Sequence, residues 1–81
     1  MNIADYLEDV SLPPAIRFKA QTYLATLARA DDASSLRLAI ERAVGFVEGV
    51  DAARALTAAS IESLFIVIDT VASVRRGELQ A

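Results

Sequence analysis

The segment Ile61–Arg76, IESLFIVIDTVASVRR, is the most apolar stretch of the chain, and any fold must find a way to cover it. Leu64–Ile68 is an unbroken apolar run rich in β-branched residues, a pattern that on its own suits a buried strand. No turn residue interrupts Ala58–Arg76, however, and that length is ordinary for a helix and excessive for a strand. At about 100° per residue, Ile61, Leu64, Phe65, Val67, Ile68, Val71, Ala72 and Val74 fall within roughly half the circumference. Glu62, Asp69, Ser73 and Arg76 take the other side. Thr57 is placed to cap the start, with Leu56 able to staple onto Ile61. Arg75, Arg76 and Gly77 predict the end, with cations near the negative pole and glycine just beyond it. The stretch therefore reads as a helix. It does not read as a membrane span, since its apolar run is far below the ~20 residues required and Asp69 interrupts it.

An arc that wide calls for neighbours on more than one side, and the preceding sequence supplies them as helices. Asn2 caps a short first helix bearing Ile3, Tyr6, Leu7 and Val10, which Pro13-Pro14 must end. A second helix spans about Pro14–Ala30, with Ile16, Ala20, Tyr23, Leu24 and Leu27 on one face. Asp31–Ser35 forms the connection, where Asp32 or Ser34 caps the helix that follows. That third helix, about Ser35–Glu48, is the most regular: Leu36, Ala39, Ile40, Ala43, Val44 and Val47 keep the i, i+3, i+4, i+7 spacing. Arg37 and Glu41 stand i, i+4 on its outside, and Gly49 is expected to close it. Asp51 is expected to cap a short helical segment, Ala52–Leu56, and Glu78–Ala81 to fray. The expected fold is an all-α bundle forming one domain over residues 1–81: three main helices, one or two short ones, and the last long helix at the centre.

Composition narrows the function classes. A chain of 81 residues that is 54% hydrophobic, with mean hydropathy +0.38, is too apolar for disorder. It is also apolar for a self-sufficient monomer of that size, which points toward a core or surface completed by a partner or twin subunit. Sixteen of the residues are alanine, favouring close helix packing without a large core. The net charge of −3 and the interspersed charges argue against phosphate-driven nucleic-acid binding. Without His or Cys the chain has neither the commonest general base nor a thiolate, so an enzyme, a metal centre and a cofactor site are not expected. Acids in the first ten residues oppose a secretory signal, which makes the expected location cytoplasmic.

Three side chains break the pattern. Phe18, Leu38 and Ile66 each sit off the apolar stripe of their helix, among small or polar neighbours, and Gly45 lies beside Leu38 on the helical wheel. Were they to converge, they would form a second apolar surface, with Gly45 permitting close backbone approach. The leading functional expectation is thus a protein–protein interaction module, a small regulator, adaptor or inhibitor forming a homodimer, whose interface candidates are Phe18, Leu38, Gly45 and Ile66.

Two other readings compete. Ser35-Leu36, opening a helix in a small acidic protein, resembles the attachment site of acyl and peptidyl carrier proteins, in which a helix-opening serine bears a phosphopantetheine arm. The chain departs from that pattern at Ser34, which stands where the family has aspartate, lacks the preceding glycine, and carries Pro13-Pro14 where the family has a continuous helix. That resemblance implies modification of Ser35. The glycine break at Gly49 also gives a helix-turn-helix outline, although the candidate recognition segment DAARALTAAS has one arginine and no Asn, Gln or Lys to read bases. Asp31, Asp32 and the acids Asp5, Glu8 and Asp9 lack calcium-loop spacing and read as solvated groups.

Overall fold

Two prolines decide where the body of the fold begins. Pro13 lies outside helical space and Pro14 takes the first helical position, where its missing N–H would have no partner in any case. The computed structural model describes residues 1–81 as four helices: α1 (Ile3–Tyr6), α2 (Pro14–Ala28), α3 (Ala33–Ala52) and α4 (Ala58–Gln80). The chain is an all-α bundle of three long helices and one short one. No helix is long and apolar enough to cross a membrane.

The α4 helix contributes more buried residues than any other helix, namely Ser60, Ile61, Leu64, Val67, Ile68, Val71 and Ala72, and it packs against both α2 and α3. Leu64–Ile68 is helical, so the strand alternative fails, and Val74 at the edge of the expected arc is exposed. Ala20, Leu24 and Leu27 face it from α2, and Leu36, Ala39, Ala43 and Val47 from α3. Short connections after α2 and α3 turn the chain back each time, as the interhelical spacing predicts. Thr57 caps α4 by accepting the Ser60 N–H at 3.1 Å, and Asn2 caps α1 by accepting the Ala4 N–H at 3.1 Å.

Carbonyls left open where the chain leaves helical structure are closed by side chains from elsewhere. The Arg17 guanidinium donates to the carbonyls of Leu7 (2.7 Å) and Val10 (2.5 Å), tying the single turn of α1 and its exit to α2. The Ser60 hydroxyl donates to the Ser11 carbonyl at 3.0 Å, joining the start of α4 to the same segment. Arg75 Nε donates to the Ala30 carbonyl at 2.8 Å, just past the end of α2. Ser60 is the sole buried polar residue, and no buried side-chain polar atom lacks a partner.

Several expected boundaries move. Gly49 does not close α3, which continues to Ala52, and no separate helix forms over Ala52–Leu56. The end is instead made by Arg54, whose φ of 55° puts it in left-handed space. The Ala55 N–H then reaches the Val50 carbonyl (3.2 Å) and the Arg54 N–H the Asp51 carbonyl (2.9 Å), the paired bonds of a Schellman cap. The helix expected to start at Asp51 is therefore absent, and the next helix, α4, starts at Ala58. Gly77 likewise lies inside α4, which runs to Gln80 with Leu79 packed on the core. Helix α2 stops at Ala28, two residues early, and Asp32 rather than Ser34 caps α3. Arg75 serves the end of α2 and pairs with Glu78 at 3.1 Å; it does not close its own helix. Arg37 and Glu41 form no ion pair, consistent with the small worth of such exposed pairs.

Left-handed backbone costs a non-glycine residue about 1 kcal/mol, which glycine at 54 would recover, less the extra freedom it gains when unfolded. Arg54→Gly is therefore expected to stabilise the fold by about 0.5 kcal/mol and to raise the melting midpoint by about 2 to 4 °C. Calorimetry showing a lower midpoint would contradict the cap assignment.

Candidate interaction surface

The three off-stripe side chains stand in solvent. Phe18 is 67% exposed, Ile66 57% and Leu38 47%, against less than a tenth for the residues of the core. Gly45 is exposed as well, and a Cβ added there would meet nothing within 4 Å. The Thr22 hydroxyl donates to the Phe18 carbonyl (3.0 Å) and the Thr70 hydroxyl to the Ile66 carbonyl (2.8 Å), which satisfies these threonines on the outer faces of α2 and α4.

The three do not share one depression. Ile66 lines a groove between the end of α3 and the first half of α4, together with Ala58, Ile61 and Phe65. Leu38 lines a different groove, between the end of α2 and the start of α3, with Thr26, Arg29, Ala39 and Arg42 among its walls. Phe18 lines neither. Leu38 lies in the second turn of α3 while Asp51, on the wall of the Ile66 groove, lies in its last turn, so the two sites occupy opposite ends of that helix.

The two grooves differ in charge. Every charged residue lining the Ile66 groove is an acid: Asp51, Glu62 and Asp69. Around Leu38 the balance is cationic, with Arg29 and Arg42 in one depression and Arg37 in an adjoining one, against Asp31 and Glu41. Arg75–Glu78 is the only ion pair in the chain, so none of the charges bordering Leu38 or Ile66 is paired within it.

Glu62 and Asp69 were legible beside Ile66, standing four residues before and three after it on one helix. Asp51 was not, because it joins the groove only when α3 continues through Gly49. Sequence reasoning also missed the stack of Tyr23 on Phe46, with ring centroids 5.0 Å apart and planes inclined by 23°, which closes the α2–α3 flank.

The remaining candidates are local. Ser35 is exposed at the third position of α3, and its N–H is capped by the Asp32 carboxylate at 2.7 Å. A larger open depression lies between the start of α3 and the end of α4, where Leu36, Ile40 and Leu79 form the floor and Arg37, Arg76, Asp31 and Asp32 the rim. No group of His, Cys, Asp or Glu side chains is arranged to hold a metal ion. Comparisons with protein-family models, with curated proteins and with solved structures each return no match.

Hydrogen bonds from the Ser35 backbone, then its side chain, hold the Asp32 carboxyl below the usual carboxylate value, with a smaller contribution from the Ser34 backbone. A carboxyl held low in the folded state stabilises fully above its unfolded value and progressively less as pH falls through the folded one. Asp32→Asn keeps a capping oxygen without the charge. We expect the wild type to lose more stability than Asp32→Asn between about pH 5 and pH 2, measured by denaturant melts. Parallel losses in the two proteins would remove Asp32 as a source of acid sensitivity.

Proposed function

We propose that the chain is a non-enzymatic protein-interaction module, a small regulator, adaptor or inhibitor that occludes or bridges another protein through an apolar helix face. The observation that carries this reading is Ile66. It is 57% exposed, it stands beside the half-buried Phe65 in a groove with an acidic rim, and it takes no part in the core that α4 closes. A large aliphatic side chain in water gives the fold nothing, whereas beside other apolar side chains in a surface depression it offers a partner an anchor point. Phe18 and Leu38 are likewise exposed on α2 and α3, which suits a module touched from more than one side.

The Ile66→Asp variant separates surface from core. It is expected to keep the helical signal and the melting midpoint within about 2 °C of wild type, since an exposed site tolerates substitution within about 0.5 kcal/mol. Affinity capture from the native host, with wild type and variant as parallel baits, should yield a partner held by the first and released by the second. Identical partners from both baits would contradict the assignment of this face, and loss of helicity would make Ile66 a core residue.

The carrier-like reading of Ser35 makes a different demand. Ser35 is exposed at the start of α3, so a transferase could reach its hydroxyl. Expression beside a phosphopantetheinyl transferase is expected to leave the intact mass unchanged, and an added arm lost in Ser35→Ala would replace the interaction reading with the carrier one.

A further inference from the structure

The Ile66 groove and the Leu38 patch are complementary to each other. One is a shallow depression with an apolar floor whose charged residues are all carboxylates, Asp51, Glu62 and Asp69. The other is a projecting leucine, 47% exposed, bordered by Arg29, Arg37 and Arg42 against Asp31 and Glu41, a net positive balance. None of these charges has an ion-pair partner within the chain. The two sites lie on different flanks and at opposite ends of α3, so they cannot meet within one molecule. We infer that the occupant of the Ile66 groove is a second copy of this chain, which inserts Leu38 against Ile66 and Phe65 while its arginines face the acidic rim.

This inference rests on the reading of the Ile66 face as an interaction surface and names what covers it. Two different patches can pair in both directions about a twofold axis, which closes a dimer. Paired in one direction only, head-to-tail, they leave one groove and one Leu38 patch free, which lets assembly continue until a ring closes or an open chain grows. The apolar contact is small, and opposite charges around it add steering and register more than affinity. Association is therefore weak and salt-sensitive, since exposed charges are screened over about 8 Å at physiological ionic strength. The small exposed residues Gly45 and Gly49 on the outer face of α3 leave the approach beside Leu38 unobstructed.

Charge exchange tests the pairing with the chain as it is. Arg37, Arg42, Glu62 and Asp69 are all exposed, so reversing them leaves the core intact, which circular dichroism checks. Sedimentation of the wild type at low salt is expected to show concentration-dependent association up to a protein concentration of about 1 mM, weakening at least tenfold in high salt. The double variant R37E/R42E and the double variant E62R/D69R should each remain monomeric over that range. Mixed in equal amounts, they should associate again, because the reversed knob of one matches the reversed groove of the other.

A wild type that stays monomeric at about 1 mM in low salt overturns the inference and leaves the Ile66 reading to the host-capture experiment. Self-association that survives either charge reversal, or a mixture that fails to recover it, overturns the pairing of Leu38 with the groove.

Discussion

Closure of the α4 arc from two sides at once is the constraint on which the rest of this structure depends. Ile61, Leu64, Val67, Ile68, Val71 and Ala72 are buried around close to half of the helix, so neither α2 nor α3 alone could cover them. The faces brought against them are narrow. Five of the sixteen core residues are alanine, and no aromatic side chain lies in the fully buried set. Small faces let helix axes come close, so stability is drawn from many short contacts around a few larger side chains such as Leu24, Leu27 and Leu64. Truncation at one of those leucines would cost on the order of 2 to 5 kcal/mol, a large share of what a domain of this size possesses.

Polar side chains then fix the pieces that burial alone could not hold. A helix of four residues such as α1 has no independent stability, yet Leu7 and Val10 behind it are buried in the core. Arg17 holds both residues by their carbonyls, and Ser60 holds the next turn of chain by Ser11. At the other end of the bundle Arg75 performs the same service for Ala30, past the end of α2. Each clip joins the breakdown point of one helix to the body of another, where open carbonyls would otherwise need water.

The periodic part of the fold was legible because burial sets it. The face Leu36, Ala39, Ala43, Val47 and most of the arc on α4 are buried as their spacing demands, with Ile40, Val44 and Phe65 half-buried and Val74 exposed, while Phe18, Leu38 and Ile66 are exposed as their phase demands. The boundaries were not legible, and the reason is specific. Glycine at 49 and 77 suits a helix end by sequence, yet a helix tolerates glycine for about 1 kcal/mol when the next turn still gains contacts. The true stop lies at Arg54, in left-handed backbone that side-chain chemistry alone would not single out. The roles of Arg17, Ser60 and Arg75 were hidden for another reason, since their acceptors are backbone carbonyls 7 to 49 residues away. The candidate surface was half visible: Glu62 and Asp69 follow from the helical wheel around Ile66, and Arg42 from the wheel around Leu38, but Asp51 and Arg29 needed the packing of α2, α3 and α4.

Because α4 completes its burial within its own chain, Ile66 on its outer side is free to serve contacts between molecules, and this division between inner and outer faces underlies the functional reading. The division is tested most directly by hydrogen exchange of the wild-type amides under native conditions. Leu64–Val71 should exchange only through complete unfolding, with a protection free energy equal to the stability from denaturant melts, while Leu7–Val10 open at lower cost. Exchange of Leu64–Val71 through a smaller local opening, with α2 and α3 still protected, would show that α4 is not the centre of the fold.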